Sequence, residues 1–70
     1  EIVEFMAEEG SRTTQRKIKD MNLPNDTNIG AIVRAGEAIL VNGDTQILPN
    51  DMVVVFCKNH AIRQLEKFFQ

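Results

Sequence analysis

Cys57 and His60 are the one thiol and the one imidazole of this chain, and they stand three residues apart. A thiolate beside a proton-accepting ring is the minimal nucleophile–base pair, and it works when a third group orients the ring. The local pattern argues against that use. Cys57 closes an uncharged β-branched run, His60 opens a helical pattern, and no Ser, Asp or Glu is spaced to hold the imidazole. Cys57 therefore reads as a small buried core residue and His60 as a surface residue at a helix start. Two ligands are also too few for a structural zinc site, which takes about four. The expectation is no catalysis and no metal.

Asp44 and Asp51 each border a turn, in Asn42-Gly43-Asp44 and Pro49-Asn50-Asp51. Acid–base chemistry would need both carboxyls in one cleft with displaced pKa values. The commoner use of such an Asp is to accept hydrogen bonds from nearby backbone amides, and that role is expected here. Arg12, Arg16, Lys17 and Lys19 supply half of the chain's eight basic residues. They can meet phosphates or an acidic partner, but Glu8, Glu9 and Asp20 lie close by, and a solvated face is the simpler reading. Arg34 is the more pointed candidate. It ends a strongly apolar run, where Lys or Glu would serve solubility equally well, and its guanidinium is a planar fork of donors suited to phosphate or carboxylate. The plainer alternative is an Arg that decorates a turn.

These residues need elements to position them. Ile2 to Glu8 alternates with period two, placing Val3, Phe5 and Ala7 on one side, as in a half-buried strand. After Glu9-Gly10-Ser11, Thr13 or Thr14 can cap a helix running to about Met21, with Ile18 and Met21 inward. Leu23 follows as a buried anchor, and Pro24 forbids continuation. Ile29 to Val33 reads as a short strand buried on both faces, and Ala38 to Val41 as its hairpin partner across an Ala35-Gly36 turn. Ile47-Leu48 is a brief extended piece. Met52 to Cys57 is the strongest strand pattern and should be central. Asn59 can cap a last helix carrying Ala61, Ile62, Leu65, Phe68 and Phe69 at helical spacing. The order β-α-β-β-β-α gives an α+β domain, a mostly antiparallel sheet with two helices packed on it.

The bulk numbers narrow the function. Seventy residues form one small domain, whose core rarely yields more than ~3–5 kcal/mol of net stability. One cysteine excludes a disulfide framework, so oligomerisation or attachment to a larger protein is the expected support. A net charge of −2 is the wrong sign for nucleic-acid binding, which rests on neutralising phosphates. No apolar run reaches the ~18–20 residues that cross a bilayer. The chain opens in a strand pattern at Glu1-Ile2-Val3 without an initiator Met, and is expected to be a piece of a longer, cytoplasmic protein.

Several stretches stand in order over nearly the whole chain: Glu9-Gly10-Ser11, Lys17 through Pro24, and Ile29 through Gly36, a strand ending in an Arg-x-Gly turn. Together they resemble the TrkA C-terminal domain, also called the RCK C-terminal domain. Asn42-Gly43-Asp44-Thr45 is similar to the family's Gly-Asp-Thr turn, and Pro49-Asn50-Asp51 with Val53 to Phe56 to its Gly-Asp turn and following strand. Asn50 stands where the family usually has Gly, and Asn also tolerates left-handed geometry.

The resemblance implies a regulatory module of a peripheral subunit at the cytoplasmic face of a potassium channel or transporter. It implies a homodimer, which in some family members holds cyclic di-AMP between its two copies. No Gly-x-Gly-x-x-Gly fingerprint is present, so NAD or ATP would belong to a separate nucleotide-binding domain. The candidate ligand contacts are Ile29, Ile32, Arg34 and Asn42, forming an apolar, phosphate-tipped pocket across a two-fold axis where each residue counts twice. The competing expectation is a ligand-free interaction module that docks through the hairpin edge or the last helix, with Phe68 and Phe69 as an exposed patch.

Overall fold

A computed structural model describes residues 1–70. Four strands, β1 (Ile2–Met6), β2 (Thr27–Arg34), β3 (Glu37–Leu40) and β4 (Met52–Cys57), form one antiparallel sheet in the order β1-β4-β2-β3. One α-helix, α1 (Ile62–Phe69), closes the chain. The α+β class and the central position of β4 follow the sequence expectation.

The β-branched run of β4 fits that central place, because a strand paired on both edges gains most from side chains that pack well on a pleated surface. Its register gives the sheet two faces. On the inner one, Val3–Val55–Ile29 and Phe5–Val53–Ile32–Ile39 lie in rows. Val53, Val55 and Ile32 are fully buried there under Leu65, Ile47, Phe68 and Phe69 of the covering layer. Phe5 stacks on Phe69 with ring centroids 4.7 Å apart and planes 5° from parallel.

β2 carries a bulge at Gly30, between the Ile29–Val55 and Ala31–Val54 pairs. One extra residue resets the alternation, which is why Ile29 and Ile32, three apart, both point inward. Gly30 is required there for space, since the Phe56 ring lies over it and a Cβ would overlap the ring carbons. The β2–β3 turn is a tight hairpin with φ positive at both central residues, Ala35 at 50° and Gly36 at 80°.

The structure corrects five expectations. The first helix is replaced by two 3-10 turns, Arg12–Thr14 and Ile18–Asp20, with Lys17 extended between them. Ile18 and Met21 are too little apolar stripe to hold a nine-residue helix against its nucleation cost. Local bonds compete with it: Ser11 and Thr13 hydroxyls pair at 3.0 Å, Thr14 Oγ1 donates to the Ser11 carbonyl, and Lys17 bridges to Gln46. Met21 is nonetheless buried and Ile18 half-buried, so both side chains face inward as their spacing predicts. β2 is buried on one face, with Ala31 half-buried and Val33 exposed on the other. Leu23 is half-buried. Asn59 does not cap α1, which is entered instead through a 3-10 turn at Asn59–Ala61. Phe68 and Phe69 are core residues, 7% and 2% exposed, so the expected aromatic docking patch is absent.

Candidate functional site

Arg34 is the last residue of β2 and lies on the inner side, where the sheet ends and the 42–51 loop closes over it. Its Nε donates to Asp51 Oδ1 at 2.9 Å and its Nη2 to Asp51 Oδ2 at 2.8 Å, a two-pronged pair. Nη2 also donates to the Gln46 carbonyl at 3.1 Å. Asp51 Oδ2 accepts in addition from the Leu48 N–H at 2.8 Å. The pair is lopsided in solvent: the Asp51 side chain is 2% exposed and that of Arg34 is 35% exposed. Hydrogen bonding from Arg34, opposed by burial and helped by the Leu48 amide, holds the Asp51 carboxyl below its ordinary 3.8. The same bonds raise the Arg34 guanidinium pKa. Asp51 thus has the turn role expected of it and a second one, anchoring Arg34, that the sequence did not signal.

The loop that delivers Asp51 is held at both ends. Asn50 takes φ 73°, the left-handed geometry that Asn tolerates in place of Gly. Ala7 N–H donates to the Asp51 carbonyl at 2.8 Å and Asn50 N–H to the Ala7 carbonyl at 2.7 Å, tying the turn to the end of β1. Gln46 spans the other side, its Nε2 donating to the Thr14 and Arg16 carbonyls at 3.0 and 3.3 Å.

The other candidates lie apart from this pair. Ile29 and Ile32 are core residues, 6% and 0% exposed. Asn42 starts a surface turn, where its Oδ1 accepts from the Asp44 N–H and its own N–H donates to Thr45 Oγ1. None of the chain's cavities is lined by any of the four. Cys57 is buried, and His60 is exposed, its Nε2 3.2 Å from Asp26 Oδ2. Lys19 pairs with Asp44 at 2.8 Å and Lys17 approaches the same carboxylate at 4.0 Å. Arg12 lies over the Phe68 ring, 4.2 Å from its centroid, and with Arg16 and Asp20 rims a cavity of about 420 Å³.

The sheet's outer face is the feature that the strand-by-strand reading missed. Its rows are Met6–Met52–Val33–Ala38, Glu4–Val54–Ala31–Leu40 and Ile2–Phe56–Asn28. Nothing in the chain covers it: Leu40 is 89% exposed, Ile2 69%, Met6 49% and Phe56 46%. Glu4 is the one charged side chain in these rows. The signal was available as apolar residues at the wrong phase of each strand, Ile2 and Met6 in β1 and Val54 and Phe56 in β4. A contiguous uncovered apolar surface of this kind marks an interaction site.

The profile of the TrkA-C domain matches residues 2–70. The chain belongs to the TrkA-C domain family. This TrkA-C domain is 40% identical, over 60 residues and 86% of its length, to the Trk system potassium uptake protein TrkA homolog of Archaeoglobus fulgidus. It is 32% identical over its full length to the protein of the same description from Pyrococcus abyssi. It spans 14% and 31% of the lengths of those two relatives. A solved structure described as "Structure of RCK domain with cda" superposes with a TM-score of 0.81 at 20% identity, covering 99% of this chain and 97% of the other, which establishes the shared fold. No helix is long and apolar enough to cross a membrane.

Proposed function

We propose that this TrkA-C domain is the regulatory module of a Trk-type potassium uptake subunit, and that it works as a homodimer joined through the outer face of its sheet. The subunit acts on a membrane-embedded potassium transporter from the cytoplasmic side, and this module carries a signal to it rather than catalysing a reaction. The observation that carries the reading is the uncovered apolar face. A two-fold interface brings the same patch together with itself, so it favours a surface with few charges, and one carboxylate in three rows meets that condition. Two such sheets can pack face to face about 10 Å apart, burying Phe56, Leu40 and Ile2 together. The relatives described as Trk potassium uptake proteins support the assignment to potassium transport.

The proposed signal is an anionic dinucleotide, cyclic di-AMP, bound between the two copies with a phosphate at Arg34. Arg34 is the last residue of β2, at the rim of the sheet on its inner side, and its side chain reaches solvent. Ligand binding would shift the balance between dimer arrangements by its differential affinity for one of them. The second reading, a dimerising and docking module without a ligand, is favoured by two facts: Ile29 and Ile32 are already committed to the core, and Arg34 already has a carboxylate.

Calorimetric titration with cyclic di-AMP, against ATP, NADH and cyclic di-GMP, separates the two. Saturable binding of one cyclic di-AMP per two chains, lost in Arg34→Ala, supports the dinucleotide sensor. A well-folded dimer that binds none of them supports the ligand-free module. A monomer that no ligand dimerises contradicts both.

A further inference from the structure

From the pairing at the end of β2 we infer that Asp51 is a positioning residue for anion recognition by Arg34, and that Arg34 reads a ligand oxygen by direction rather than by net charge. This rests on the assignment of Arg34 to an anionic ligand made above. Arg34 has three nitrogens with five N–H donors in a fixed plane. Asp51 takes the Nε and Nη2 edge, and the Gln46 carbonyl takes a second bond from Nη2. Every intramolecular bond of the guanidinium uses those two nitrogens, which leaves both Nη1 donors for a partner from outside the chain. The 35% exposure of the side chain gives that partner access. The ion pair also balances the guanidinium charge locally, so an incoming phosphodiester oxygen meets an oriented donor on a nearly neutral pair. Asp51 is itself fixed by the Leu48 amide and by the Ala7–Asn50 and Ala7–Asp51 backbone bonds, so the aim is set by the fold and not by the ligand.

A charge-only role and an aiming role predict opposite signs for one substitution. If Arg34 attracts an anion by charge alone, removing the neighbouring carboxylate in Asp51→Asn strengthens binding. If Asp51 aims the guanidinium, the same change weakens it, by roughly tenfold or more for one misdirected charge-assisted bond, and makes the remaining affinity more sensitive to salt because the guanidinium charge is now uncompensated. The salt dependence is a readout that loss of stability alone does not move.

The experiment is calorimetric titration of the 70-residue chain with cyclic di-AMP at low and high salt, in wild type, Asp51→Asn and Arg34→Lys. Weaker and more salt-sensitive binding in Asp51→Asn supports the inference; equal or tighter binding overturns it. Should Asp51→Asn lose its folded NMR spectrum, Arg34→Lys decides. Lys keeps the charge but not the fork, so a loss of roughly tenfold supports aiming and unchanged affinity overturns it. Should wild type not bind cyclic di-AMP, the ligand assignment falls, and the aiming claim is read separately from the guanidinium NMR signals with inorganic phosphate as probe. Resolved Nη1 and Nη2 signals, with Nη1 responding to phosphate and the resolution lost in Asp51→Asn, support it. A freely rotating guanidinium, or one whose Nη1 ignores phosphate, overturns it.

Discussion

The inner and outer faces of this sheet are built by the same four strands from similar residues, yet one is finished and the other is not. On the inner face Val53, Val55 and Ile32 lie under α1 and the 42–51 loop and lose all contact with water. On the outer face Val54, Phe56 and Val33, neighbours of those residues in sequence, have no covering layer. Apolar burial contributes roughly 25 cal/mol per Å² wherever it occurs. The inner face gains this on folding, while the outer face can gain it only on association. A fold can thus hold its shape with one face and keep the other for a partner.

Leu65→Ala should have the largest effect, because Leu65 is fully buried against the inner face. A loss of about 3 kcal/mol, within the range for Leu→Ala core changes, is comparable to the net stability of a domain this small. Urea denaturation should find Leu65→Ala mostly unfolded at room temperature unless dimerisation rescues it.

Asp51→Asn should come next, at roughly 2 kcal/mol for charged hydrogen bonds lost at neutral pH. Its pH dependence has a definite sign. The Asp51 pKa is lowered in the folded state, so this group's contribution is complete above the ordinary carboxylate range and disappears as pH falls through the folded value. Chemical denaturation at neutral pH and near pH 3 should therefore show the gap between wild type and Asp51→Asn narrowing in acid. A constant gap would mean that ionisation of Asp51 is not what stabilises the pair.

Gly30→Ala tests the join between the faces. The new Cβ would overlap the Phe56 ring and displace it from the outer face, costing about 1 kcal/mol in folding and weakening the dimer more than it weakens the fold. Leu40→Ser and Ile2→Ser should have the smallest effect on folding, within about 0.5 kcal/mol for exposed positions, while raising the dimer dissociation constant at least tenfold when combined. If they unfold the chain instead, the outer face belongs to the core and the contrast fails.

Much of this was legible from residue order. Met52 to Cys57 announced a central strand because nothing charged interrupts it, and Ala35-Gly36 announced the hairpin because a two-residue turn needs left-handed geometry. The segment from Thr13 to Met21 misled because helical spacing of Ile18 and Met21 does not reveal that Lys17 is pulled out to Gln46, nearly thirty residues on. Helical spacing put Phe68 and Phe69 on the packing stripe of the last helix while the competing reading exposed them, and their burial, with Phe69 stacked on Phe5, decides for the core. At the candidate site Arg34 was readable as an unusual choice for a strand end. Its bond to Asp51, seventeen residues away, was not, because two turn residues carry no mark of facing each other. The outer face was hidden for a similar reason: the apolar run of β2 reads as a strand buried on both faces and that of β4 as a central strand, and the register is needed to gather their outward residues into one surface.

The measurement that tests the central claim most directly is sedimentation equilibrium of the 70-residue chain, wild type beside the Leu40→Ser/Ile2→Ser pair, at high micromolar concentration and without ligand. The account predicts a dimer for wild type and a folded monomer for the pair. A wild-type chain that is monomeric throughout, or a substituted chain that dimerises as tightly as wild type, would contradict it.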